Sequence, residues 1–137
     1  MVNVRKLRKL QKWILAEPRR FHMAFWAVGG KHHLVAKQNP PCGTVACLAG
    51  NACLMEGLAL TPMAEDKSDL ELAEHDCISD KATEILGLDE LQQKALFHVD
   101  NWPMNFAEEY NSADDCIEGA DITARRIEHF IKTKGAE

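Results

Sequence analysis

Cys42 and Cys47 are the residues best able to do chemistry, and they stand in a fourteen-residue stretch, Cys42 to Met55, that carries no charge. The stretch predicts a buried central helix from Thr44 to Glu56. Thr44 is its N-cap, Gly57 its C-cap, and Pro40-Pro41 forbids helix upstream. Cys42 then precedes a helix, where unpaired amides and the positive end of the macrodipole favour a thiolate. With an imidazole beside it, such a thiolate is a nucleophile, and His32 is the candidate partner. Cys42, Cys47 and His32 are also candidate zinc ligands, because thiolate and imidazole are the ligands zinc prefers. Two ligands five apart across a helix start converge less readily than Cys-x-x-Cys, and no second close pair follows. The same two cysteines could form a redox pair. The plainer alternative is a packed thiol: the chain has five cysteines, an odd number, and in a reducing compartment thiols behave as small hydrophobes. No cofactor is expected.

These residues need elements to position them. Phe21 to Val28 and Lys31 to Lys37 flank Gly29-Gly30, which accepts the positive φ angles of a tight turn and predicts a β-hairpin. Its core face carries Met23, Phe25, Ala27, His32, Leu34 and Ala36. Downstream of the central helix, Thr61-Pro62 and the capping box Ser68 to Glu71 read as starts of short helices. Ser79 predicts the cap of a helix ending at Leu86 with Gly87 as C-cap. Asp89 with Gln92 starts another, turning Leu91, Ala95, Leu96 and Phe97 to the core. Trp102-Pro103 opens a turn of helix through Tyr110. From Ser112, the 4-3-4-3-4 spacing of Ala113, Ile117, Ala120, Ala124, Ile127 and Ile131 predicts a long C-terminal helix.

At the N-terminus, Val4, Leu7, Leu10 and Ile14 mark an amphipathic helix from Asn3 to Ala16 whose other side carries Arg5, Arg8, Lys9 and Lys12. This basic row is the candidate binding surface. Residues 1 to 40 hold nine Lys or Arg against one acidic residue, whereas residues 54 to 118 hold three against seventeen, under a net charge of -5. The row either balances the acidic middle or serves an acidic partner. Trp13 belongs to the core, so neither a stacking platform nor a base-reading helix is evident and nucleic acid is disfavoured. With no run of eighteen apolar residues and no basic-then-apolar leader, a cytoplasmic protein without a membrane span is expected.

The order of motifs adds a resemblance. Arg20-Phe21-x-Met23, Cys42-Gly43-Thr44-x-x-Cys47-x-x-Gly50, Leu86-Gly87-Leu88, Ala95-Leu96-Phe97 and Trp102-Pro103, followed by a final helix, resemble a family of small bacterial and phage proteins of uncharacterised activity. The likeness runs from Phe21 onward and implies a bacterial or phage intracellular setting but no catalytic residues. The sequence therefore predicts a single α+β domain over 1–137, mainly helical: a basic helix, one β-hairpin, a central buried helix, several short helices and a long C-terminal helix. The expected role is that of an accessory protein acting by binding. The alternatives are a cysteine-dependent enzyme using Cys42 and His32, or a zinc-binding module.

Overall fold

In the computed structural model, residues 1–23, 46–58, 60–62, 70–72 and 77–135 are described. The fold is helical rather than α+β. Among the described residues there are six α-helices: α1 Val4–Ala16, α2 Leu48–Met55, α3 Ile78–Leu86, α4 Glu90–Phe97, α5 Met104–Asn111 and α6 Cys116–Thr133. Extended pairing there amounts to an antiparallel pair of three-residue strands, β1 Leu60–Pro62 and β2 Leu70–Leu72, with Thr61 opposite Glu71, and one parallel bridge between Phe21 and Ala46. Such short pieces form no sheet layer. The hairpin expected from Gly29-Gly30 lies outside the described residues. The helices expected at Thr61-Pro62 and Leu70-Glu71 are replaced by β1 and β2, because pairing between distant segments overrides the local start signals.

Local chemistry explains most element ends. The Asn3 side chain accepts from the Lys6 amide at 3.1 Å and caps α1, whose Leu7, Leu10 and Ile14 are buried. Pro18 then opens a short 3₁₀ turn to Arg20. At the end of α2 the Gly57 amide donates to Leu54 O and the Leu58 amide to Cys53 O, the paired bonds that close a helix around a left-handed residue. Gly87 repeats the arrangement after α3, with its amide on Glu84 O and that of Leu88 on Thr83 O. Asp89 and Gln92 cap α4 reciprocally. The last carbonyls of α4 are taken by three side chains: Asn101 Nδ2 on Lys94 O at 3.1 Å, Arg126 Nη2 on Ala95 O at 3.0 Å and Trp102 Nε1 on Leu96 O at 2.9 Å. A helix end inside a protein needs such partners, which gives buried Arg126 a structural role on α6.

Three predicted starts are corrected. The central helix begins at Leu48 with Cys47 in the N-cap position, not at Thr44. The Ala46 carbonyl instead accepts from the His22 amide at 2.9 Å, which holds residue 46 extended. α3 starts at Ile78, and Ser79 is buried within it, its hydroxyl meeting Gln93 Nε2 instead of capping. α6 starts at Cys116, capped by the Asp115 carboxylate on the Glu118 amide at 2.8 Å, not at Ser112. That start leaves Ile117 in an outward first turn at 61 % exposure, and Leu91 is likewise turned to solvent at 78 %.

The core is built around α2, which has seven of its eight residues buried. It packs chiefly on α3 and α1, α1 lies along α6, and α5 closes the other side of α6. Trp102, Tyr110 and Phe21 stack edge to face in a row, with ring centroids 5.5 and 6.3 Å apart.

The two left-handed glycines give a comparison. A Cβ at Gly57 would meet open space, whereas at Gly87 it would stand 2.2 Å from the Met1 carbonyl oxygen. That approach belongs to the docking of the N-terminal segment, whose Asn3 amide donates to Leu86 O at 2.8 Å. Gly57→Ala should therefore cost about 1 kcal/mol, the left-handed penalty alone, and Gly87→Ala at least about twice that. Urea melts of the two variants check the difference. Equal losses would mean that the N-terminal segment moves aside freely.

Candidate functional site

The basic row is the predicted site that the described structure presents most fully. Because Leu7, Leu10 and Ile14 anchor α1 in the core, Arg5, Arg8, Lys9 and Lys12 project on its opposite side, and all four are exposed. Two of them have partners. Arg8 makes a forked contact with Glu128 of α6, Nη1 to Oε1 at 2.8 Å and Nη2 to Oε2 at 3.4 Å. Lys9 Nζ meets Glu56 Oε2 at 2.7 Å, and Lys6, at the edge of the row, bonds the other oxygen of the same carboxylate. The Lys6 and Lys9 ammonium groups hold the Glu56 carboxyl below its usual range, and the Arg8 guanidinium does the same for Glu128. Arg5 and Lys12 make no ion pair among the described residues. Five cations on α1, counting Lys6, thus face two carboxylates. Arg8 and Lys9, although paired, keep about half of their side-chain surface in water, at 50 % and 48 %. Among the described residues, the expectation that the row balances the acidic middle is met by Glu56, since Glu128 lies outside that region. Trp13 is turned away from the row, its indole N–H donating to Asn51 Oδ1 at 3.0 Å.

The cysteine candidates divide differently. Cys42 and His32 lie outside the described residues. Cys47 is buried at the N-terminus of α2, and burial pushes its thiol up to about 11 although the amides of Gly50 and Ala49 pull the other way. Desolvation therefore outweighs the helix terminus, and Cys47 is a packed, protonated thiol at neutral pH. Cys53, on the same helix, is pushed up to about 12 by burial and lies 3.8 Å from Ile78 O. Cys77 is exposed. Among the described residues no group of three or more His, Cys, Asp or Glu side chains is placed to hold a metal ion.

Alkylation reads this arrangement directly. In native protein at neutral pH, iodoacetamide should label exposed Cys77, while Cys47 and Cys53 react only after denaturation. Peptide mapping of the labelled chain checks it. In the same experiment, labelling of Cys42 no faster than a model peptide removes the nucleophile reading.

One feature was not apparent in the sequence, because it joins residues far apart in the chain. Phe21, His22, Tyr110, Asp114, Cys116 and Gly119 line a cleft of about 320 Å³. A second cleft of about 320 Å³ shares His22 and Tyr110 and adds Phe97, His98 and Asp100. Between them the Tyr110 hydroxyl accepts from the Met23 amide at 3.0 Å. His22 is open to solvent on one side and walled in on the other, and desolvation lowers its imidazole pKa. Gly119 lets the Tyr110 ring approach, since a Cβ there would stand 3.3 Å from Cε1.

Comparisons with protein-family models, with curated proteins and with solved structures find no match. Among the described residues no helix is long and apolar enough to cross a membrane.

Proposed function

We propose that this chain is a small intracellular accessory protein of bacterial or phage origin that acts by binding, with α1 as its docking element and an acidic protein surface as its partner. The observation that carries this reading is the surplus of charge on α1. Five cations meet two carboxylates among the described residues, and Arg5 and Lys12 stand exposed on the outer face. Arg5 to Lys12 spans about 10 Å along the helix, so the charges act together on one approaching surface. Exposed pairs such as Arg8–Glu128 are screened by water and contribute little to stability, and exchanging their partner for another costs the fold little. The inward hydrogen bond of the Trp13 indole leaves no aromatic platform beside the row among the described residues, which favours a protein over a single-stranded nucleic acid.

The test is retention on immobilised polyglutamate and on an immobilised polynucleotide over a salt gradient. A protein partner predicts retention on polyglutamate that is lost when Arg5, Arg8, Lys9 and Lys12 are all replaced by Gln. Stronger retention on the polynucleotide, with a salt dependence that falls in proportion to the charges removed, would turn the reading to nucleic acid. Retention unchanged by the four substitutions would leave the row as a solubilising face and sink the proposal.

A further inference from the structure

The acidic surface complementary to α1 is present on this chain itself, where α1 is badly placed to use it. Residues 77 to 118 carry ten acidic side chains against Lys81 and Lys94, and of those on α5 Glu109 is paired with Arg125 of α6 at 2.8 Å. Asp100, Glu108 and Asp114 are exposed and make no ion pair among the described residues. Asp100 and Asp114 line the two clefts on either side of Tyr110, and Glu108 lies on α5. α5 packs on α6 and on the turn before it, whereas α1 packs chiefly on α6, α2 and α3. Thus α1 and α5 are not principal neighbours, and the basic row looks away from the core into solvent. Apolar side chains accompany both surfaces. Met104 on α5 and Ile117 at the start of α6 are 75 % and 61 % exposed, and Leu15, one turn beyond Lys12, is 47 % exposed.

From this separation of charge we infer that the partner of α1 is a second copy of the chain: the row Arg5, Arg8, Lys9 and Lys12 of one molecule docks on the acidic surface around α5 of the next. The inference rests on the binding role given to α1 above and names its occupant. Because the two surfaces differ, the contact is head to tail, and each molecule keeps one unused face of either kind. Association should therefore extend beyond a dimer as concentration rises. Being carried by exposed charge, it should weaken as salt shortens the screening length.

The experiment is sedimentation across a concentration series at about 20 mM and about 300 mM salt, a range over which the Debye length falls severalfold. The expected result at low salt is a weight-average mass that rises past twice the 15.4 kDa of one chain, returning to that of one chain at high salt. Two variants then assign the faces. R5Q/K12Q loses the basic face and E108Q/D114N loses the acidic one, so each alone should remain a monomer. Mixed, they retain one intact face of each kind and should form a heterodimer that grows no further. All substituted side chains are exposed, and melting curves check that both variants fold. A wild-type chain that stays monomeric at low salt, or a mixture that does not pair, overturns the inference. If that chain is still retained on polyglutamate through α1, the binding role stands and its occupant is another acidic protein. If retention fails as well, both readings fall.

Discussion

Replacing Asn51 by leucine should remove about 2–4 kcal/mol of stability, although leucine is close to asparagine in size and matches the apolar run around it. Asn51 is 1 % exposed at the middle of α2. Its Nδ2 donates to Ala46 O at 2.8 Å and Cys47 O at 3.1 Å, and its Oδ1 accepts from the Trp13 indole at 3.0 Å. The two carbonyls keep other donors, since Ala46 O also takes the His22 amide and Cys47 O the backbone amide of residue 51, each at 2.9 Å. The indole N–H of half-buried Trp13 has no other acceptor among the described residues, and a donor stranded in a core costs about 1 to 3 kcal/mol beyond the lost bonds. This also ties α1 to α2, so the loss should appear as global destabilisation. Urea melts of Asn51→Leu, Trp13→Phe and the double variant measure it. The double variant should recover about 1 kcal/mol or more of the summed single losses, because removing both partners leaves nothing stranded. A single loss below about 1 kcal/mol would mean that water already reaches the indole.

That pair marks what the sequence could disclose. Asn51 stands out as the strongly polar residue of an uncharged run, and its burial could be read directly. Its partner could not, because Trp13 is 38 residues away. Element ends set by neighbouring residues were legible for the same reason: Asn3 and Pro18 around α1, left-handed Gly57 and Gly87, and the Asp89–Gln92 box. Ends set by distant contacts were not. Thr44 is a good N-cap by type, yet the bridge from Phe21 and His22 holds Ala46 extended and moves the start of α2 to Leu48. Ser79 is a good cap by type, yet Gln93 of the next helix takes its hydroxyl. The α+β expectation came from turn residues at 29 and 30 and is replaced by a helical fold. The segment read as short helices holds the three-residue strands, whose pairing is a tertiary contact that propensity does not see.

The candidate site was legible to the same degree. Charge type and helical spacing identify the row on α1 and its outward face, because the opposite positions are all apolar. Which cations find intrachain partners depends on where Glu56 and Glu128 come to rest, and that is a tertiary outcome. The helix-terminus argument for a lowered cysteine pKa was made for Cys42, which lies outside the described residues. At Cys47 the amides do act, yet desolvation is larger, and sequence shows the first effect without the second. Arg126 makes the same point in reverse: a residue type that favours the surface is buried, and its Nη2 donates to Ala95 O at the end of α4.

Alkaline pH should destabilise the fold by several kcal/mol before general base denaturation sets in, and the buried thiols of α2 are the cause. A cysteine ordinarily ionises near 9.0, whereas burial pushes Cys47 up to about 11 and Cys53 up to about 12. Between those values and 9 the unfolded chain has released protons that the folded chain still holds, so stability falls as pH rises. The contribution is fully present below about pH 9 and is lost through the window from about 9 to 12. Each pKa unit between the two states is worth about 1.4 kcal/mol. Tyr110, also raised by burial, adds in the same direction. The measurement is the urea midpoint of native protein at about pH 8 and about pH 10.5, repeated for Cys47→Ala/Cys53→Ala. At pH 8 the variant should be weaker than wild type, because two buried sulfurs are lost. Its stability should then decline less steeply towards pH 10.5, so that the two curves converge. Parallel curves would place the alkaline loss elsewhere, and Cys47 and Cys53 would then be no better shielded from water than Cys77 at the mouth of α3.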